Sequence, residues 1–103
     1  MFLYKNISIF SITIPNMKIL SWNVAGLRAR IKNNNLQEAI LSKMYDIICL
    51  QETKCTAEQA SLSDEITKRY PYRIWNNSLG TTQRKGFSGT AIWSSIKPLQ
   101  VLT

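Results

Sequence analysis

There is no histidine anywhere in the chain. That one absence excludes, within these 103 residues, a His general base, an imidazole metal ligand and any Asp–His couple. Cysteine is scarce as well: Cys49 and Cys55 are the only two, and their spacing makes neither a zinc pattern nor a disulfide framework. Cys49 stands inside an apolar run and is expected to be a reduced core residue, which fits a cytoplasmic location. Acidic residues are few, six Asp and Glu against thirteen Lys and Arg, so the formal charge is +7. A polyanionic partner fits that balance, nucleic acid ahead of a membrane surface; a basic surface that binds nothing would carry the same charge. No apolar run is long enough to cross a bilayer, so no membrane partner is expected. No Walker loop, dinucleotide glycine pattern or internal repeat is present. With 45% hydrophobic and 18% charged residues, the chain reads as globular and suits one small domain.

Residues 1–16 differ from the rest. Ile7 and Ile9 alternate with serine, and Phe10, Ile12 and Ile14 with polar or small residues. Lys5 ahead of this run resembles an export signal, but Pro15 and Asn16 stand where a small-x-small cleavage site is needed. The better account is an extension ahead of a domain that starts at Met17 and runs to residue 103, or a start codon called too early. A short added edge strand is the plain structural alternative.

From Met17 onward the pattern is alternating strand and helix. Lys18 to Trp22 reads as a buried strand ending at Asn23, and Gly26 breaks it. Asn35 followed by Glu38 resembles a capping box, and Leu36, Ala39, Ile40 and Met44 recur at helical spacing, predicting a helix over Leu36 to Met44. Asp46 to Gln51 carries four successive apolar residues, as a strand covered on both faces does. Two strands joined by one helix pair in parallel, and such sheets gather functional side chains at the C-terminal ends of their strands. Those ends hold Asn23 and Glu52, an amide and a carboxylate expected side by side. Ala57 to Arg69 is polar and partly helical, stopped by Pro71. Tyr72 to Trp75 and Thr90 to Ser95 read as strands, with a polar loop between them that holds Arg84, Lys85, Gly86 and Gly89. Leu99 to Leu102 begins a further strand.

Three stretches carry chemistry: Trp22-Asn23-Val24-Ala25-Gly26-Leu27-Arg28-Ala29, Asp46-Ile47-Ile48-Cys49-Leu50-Gln51-Glu52-Thr53-Lys54, and Lys85-Gly86-Phe87-Ser88-Gly89-Thr90-Ala91. In this order and at these intervals they resemble the exonuclease III and AP endonuclease branch of the endonuclease/exonuclease/phosphatase superfamily. The resemblance runs from Met17 to about Ser95. It implies an α/β fold, the N-terminal half of a four-layered sandwich in which two packed mixed β-sheets are flanked by helices. It also implies a magnesium-dependent nuclease, manganese being an alternative ion, acting on double-stranded DNA at abasic sites or 3′ ends.

By that resemblance Glu52 is the magnesium-binding glutamate; as a residue in isolation it would be an ordinary surface Glu. A hard dication held by few carboxylates and several waters neutralises charge on a phosphodiester and its leaving oxygen. Asn23 is an active-site residue that either fixes the acidic neighbour or binds the metal through its own oxygen; an Asn in a strand-to-loop turn is the plain alternative. Lys54 follows Glu52 by two residues, so strand geometry would aim both at one face. There it would orient the carboxylate and meet phosphate charge, unless it is simply solvated. Arg28 and Ala29 match a loop that touches the DNA backbone, with Arg30 and Lys32 extending the basic run. Gly86 and Phe87 match a second DNA-contacting loop, Phe87 standing where Tyr is usual; a core aromatic is the other reading.

Two positions depart from the family pattern. Ala25 replaces an Asp or Asn near the metal, which would weaken cation binding, and Tyr45 replaces a smaller residue or Pro, a change in packing. The family's second half supplies further acidic, Tyr and Asp–His groups that none of these residues matches. Ordering a residue's backbone costs ~1–2 kcal/mol, whereas burying Ile47, Ile48 or Leu50 returns ~1.5–3 kcal/mol each only when both faces are covered. A single sheet would therefore be marginal and prone to aggregate. The expected function is DNA-repair phosphodiesterase ancestry in a chain inactive by itself. The alternatives are a non-catalytic DNA-binding remnant, one half of a split nuclease completed by a second polypeptide, or a relative acting on another phosphodiester.

Overall fold

The computed structural model describes residues 2–4, 7–76 and 89–98. Strands β1 (Phe2–Tyr4), β2 (Ile7–Ile14) and β3 (Met17–Asn23) lead into helices α1 (Leu27–Lys32) and α2 (Asn35–Leu41). Strand β4 (Ile47–Gln51), a 3-10 turn at Ala57–Gln59, helix α3 (Asp64–Arg69) and strands β5 (Tyr72–Asn76) and β6 (Thr90–Ser94) follow. The strands form one mixed sheet in the order β1-β2-β3-β4-β6-β5. The pairing of β3 with β4 is parallel, as a strand–helix–strand unit requires, and every other pairing is antiparallel.

Ahead of Met17, β1 is an edge strand of the sheet and β2 lies between it and β3. β2 runs antiparallel to β3 through the two-residue turn Pro15-Asn16, with Ile14 opposite Met17. Pro at the second turn position and Asn at the third, here at φ 66°, are the residues a type II turn selects. The stretch thus adds two strands to the sheet, where the plain alternative was one short edge strand.

Burial alternates along every central strand. Leu20, Trp22, Ile48, Leu50, Ala91 and Trp93 are buried, and with Leu27 of α1, Leu36 and Ile40 of α2 and Ile66 of α3 they form one core. Ile19, Ile47 and Cys49 point the other way and are half-buried, and Ile92 is 43% exposed. The expectation that β4 is covered on both faces is thus corrected for the described residues, whose helices lie on one face only. Cys49 leaves the core with that face, and the buried thiol is Cys55 instead.

Two local expectations also change. Arg28 and Ala29, expected in a loop, lie in α1, because Gly26 turns the chain at φ 101° into a run of good helix formers. A Cβ at Gly26 would meet nothing within 4 Å, so the backbone angle, not crowding, calls for glycine. The Asn35–Glu38 capping box is not made. Asn34 sits at φ 63° as the N-cap without a side-chain bond, and α2 ends at Leu41, short of Met44. The α1–α2 corner is closed by backbone bonds instead, Asn33 N to the Ala29 carbonyl and Asn34 N to the Ile31 carbonyl. Side-chain capping appears later: Thr56 N donates to Gln59 Oε1 at 2.9 Å, and Ile66 N donates to Ser63 Oγ at 3.3 Å. Tyr45 is buried, and its carbonyl accepts from Tyr70 Oη at 2.7 Å, so this residue acts on packing. The strand expected at Leu99 to Leu102, and residues 77–88 with Gly86 and Phe87, lie outside the described residues. Among the described residues no helix is long and apolar enough to cross a membrane.

Candidate active site

The parallel register decides the geometry. Asn23 is the Cα partner of Gln51, the last residue of β4, so Glu52 emerges beside Asn23. Asn23 Nδ2 donates to Glu52 Oε2 at 2.6 Å. The other carboxylate oxygen, Oε1, lies 3.9 Å from Lys54 Nζ. Asn23 Oδ1 accepts from Ala25 N at 3.1 Å, which fixes the amide's orientation and leaves its NH2 group facing Glu52. Of the two roles open to Asn23, the bonds made here are those of a group that orients the glutamate.

Glu52 and Lys54 do come together, but not by strand alternation. The strand ends at Gln51, and Glu52 and Lys54 sit at φ 53° and 55°, the left-handed region that non-glycine residues seldom occupy. Thr53 between them is fully buried. Such conformations persist where the surroundings over-determine them, and they concentrate at functional sites. Ala25, at φ 49°, is a third case on the facing loop. The pair remains open to solvent, with side-chain exposures of 44% for Lys54 and 46% for Glu52. A ligand can therefore reach the carboxylate, and the ion pair itself contributes at most about 1 kcal/mol.

The helix separates the expected DNA contacts. Arg28 and Lys32 are four residues apart and line one shallow cleft of about 190 Å³ with Ile31, Gln59 and Ser61. Arg30 falls between them and is partly buried; Ala29 is exposed. Arg28 Nη2 also donates to the Lys54 carbonyl at 3.2 Å. A larger cleft, of about 360 Å³ and lined by Ala57, Leu62, Pro71, Arg73 and Trp75 among others, contains none of these groups. Sequence reasoning missed the backbone amides of Gly26 and Leu27, which donate to the Glu52 and Thr53 carbonyls at 2.8 Å each. The one legible signal for them was Gly26.

The chain is a member of the Endonuclease/Exonuclease/phosphatase family, whose model matches residues 20–103. It is 47% identical over 88 residues to the DNA repair nuclease APEX1 of Danio rerio, covering 84% of this chain and 26% of the relative. It is 46% identical over 87 residues to recombination repair protein 1 of Drosophila melanogaster, covering 84% of this chain and 12% of that protein. Against the exodeoxyribonuclease of Bacillus subtilis it is 42% identical over 86 residues, 84% of this chain and 31% of that enzyme. The chain thus spans less than a third of the length of these relatives, and its ancestry lies with them.

Proposed function

We propose that the chain carries the metal-binding corner of a magnesium-dependent phosphodiesterase acting on DNA, at abasic sites or 3′ ends. One observation carries this reading: the 2.6 Å bond from Asn23 to Glu52 at the C-terminal edge of two parallel strands, with Lys54 on the other carboxylate oxygen. The relatives' names, a DNA repair nuclease and an exodeoxyribonuclease, support DNA as the substrate. So does the +7 charge.

The donors fit a hard dication. Glu52 is an accessible carboxylate oriented by the Asn23 NH2 group, Cys55 is buried, and Cys49 lies on the sheet face; magnesium takes one or two carboxylates and keeps several waters. Glu52 would hold the ion and Asn23 would keep the carboxylate turned toward it; the same oxygens would accept manganese. When bound, the ion supplies charge neutralisation at the phosphate and the leaving oxygen. Lys54 adds positive charge beside it, and Arg28 and Lys32 would meet the sugar–phosphate backbone in their cleft. Among the described residues no group of three or more His, Cys, Asp or Glu could hold a metal, so this is a one-carboxylate corner. Among the described residues no further carboxylate is bonded to this corner as a base to activate water, and we expect no cleavage by these residues alone. Turnover would need further groups, which a second polypeptide is one way to supply.

The test is Mn2+ binding, read by electron paramagnetic resonance, alongside cleavage of a duplex with one abasic site, with and without magnesium. Mn2+ binding that survives Glu52→Gln would sink the reading. Cleavage by the chain alone that is lost in Glu52→Ala would keep the site and show that these residues suffice for it. The +7 charge favours a second reading, a DNA-binding protein without chemistry, for which salt-sensitive DNA binding with no Mn2+ bound would be the signature.

A further inference from the structure

Beyond the ends of β3 and β4 the two chains stay zipped. Val24 N donates to the Gln51 carbonyl at 3.0 Å, Gly26 N to the Glu52 carbonyl at 2.8 Å, and Leu27 N to the Thr53 carbonyl at 2.8 Å. The next carbonyl in the row belongs to Lys54, and it accepts from the Arg28 side chain at 3.2 Å. Four successive carbonyls, 51 to 54, are thus held by four donors that advance along the facing segment. Three are backbone amides. The fourth is a guanidinium, which takes over because the amides beyond Leu27 turn into α1.

The segment so held contains the two left-handed residues Glu52 and Lys54. Each such conformation is costly for a side chain with a Cβ and must be maintained by its surroundings. We infer that Arg28 is a positioning residue: its bond to the Lys54 carbonyl locks the Glu52–Lys54 turn and so sets the carboxylate and ammonium in place. A phosphate contact through its remaining N–H groups would then be coupled to the order of the site. A guanidinium has five donors, so one bond to the chain leaves others for a ligand. This inference rests on the proposed metal site only for its functional consequence; the lock itself is a property of the turn.

The chain contains its own reporters. Cys55 follows Lys54 directly and is fully buried, whereas Cys49 is half-buried on the far face of β4. Opening the turn would expose Cys55 and leave Cys49 unchanged. The rates of alkylation of both thiols by iodoacetamide, followed by mass spectrometry, measure this without any metal. Arg28→Ala is expected to raise the Cys55 rate relative to Cys49 by about tenfold, and Arg28→Lys, which keeps a donor of similar reach, to restore most of the protection. The electrostatic effect runs the other way: burial pushes the Cys55 thiol up and the Arg28 charge opposes this, so losing Arg28 alone would slow alkylation. A faster Cys55 therefore reports access. An unchanged ratio, or both thiols accelerating equally as in global loosening, overturns the inference. Mn2+ affinity, measured in parallel, is expected to fall several-fold in Arg28→Ala. A parent chain that binds no Mn2+ while Cys55 still opens would overturn the metal-site reading and leave the lock standing.

Discussion

Strand β4 has a carboxylate just beyond each end, and the two lead opposite lives. Asp46, at the N-terminal end, is consumed by structure. Its Oδ2 accepts from Lys18 N at 2.8 Å, its own N donates to the Lys18 carbonyl, and its carbonyl accepts from Ser95 N and Ser95 Oγ. Arg69 completes the ring at 4.0 Å, and the Asp46 side chain is 27% exposed. Glu52, at the C-terminal end, accepts one side-chain bond, stands in a left-handed backbone and is 46% exposed. Both flank the same apolar run, and both have a basic partner. What separates them is the capacity left over: Asp46 fastens the backbone of β3, whereas Glu52 is oriented and still open to a ligand.

That contrast can be broken by exchange of roles. Glu52→Gln keeps the shape and removes the charge. Mn2+ affinity should fall ~100-fold or more, since even supporting groups of a metal site cost 10–100-fold. The urea midpoint should barely move, because an exposed ion pair is worth at most about 1 kcal/mol. Asp46→Ala should do the reverse. Lys18 N and Arg69 lose their acceptor, and stability should fall by about 2 kcal/mol with Mn2+ affinity preserved. Loss of stability in the first variant, or of the ion in the second, would show the assignment of the two carboxylates to be inverted. Asn23→Ala sharpens the same point. Glu52 keeps its charge but loses the 2.6 Å bond that orients it, so affinity should drop about tenfold, less than for Glu52→Gln.

The site was more legible in the sequence than the face behind it. The meeting of Asn23 and Glu52 follows from two short apolar runs and the rule that strand–helix–strand units pair in parallel, and Asn23 and Gln51 do face each other. The approach of Lys54 was anticipated for the wrong reason: strand alternation stops at Gln51, and two left-handed residues bring the ammonium round. No local propensity signals a non-glycine left-handed residue, since tertiary bonds impose it. α1 was hidden because six residues with two arginines and a lysine show little apolar periodicity, only Leu27 being fully buried. The cap expected at Asn35 falls instead at Asn34, because backbone closure of the corner shifted the helix start by one residue. The run Ile47-Ile48-Cys49-Leu50 is the instructive miss. An unbroken apolar strand specifies burial on both faces, yet the described helices cover only Ile48 and Leu50.

The weakest perturbation therefore belongs on that second face. Ile92 lies on β6 opposite Cys49 of β4 and Ile74 of β5, and is 43% exposed. Its neighbour Trp93, one residue along and fully buried, packs against Trp75 at 5.8 Å between ring centroids. Ile92→Thr keeps a β-branched side chain on the strand and should change stability by no more than about 0.5 kcal/mol. Its visible effect should be on association. Ile12, Ile19 and Ile47 are in register across three neighbouring strands, Ile92 on the fourth pairs with Cys49 one step along the same face, and apolar surface of that kind drives proteins together. Sedimentation velocity should show less self-association in Ile92→Thr, with an unchanged far-UV spectrum. A cost of ~2 kcal/mol or more would instead place Ile92 in a core as tight as Trp93's. The two faces of the sheet would then be equally packed, as an apolar run unbroken along β4 specifies.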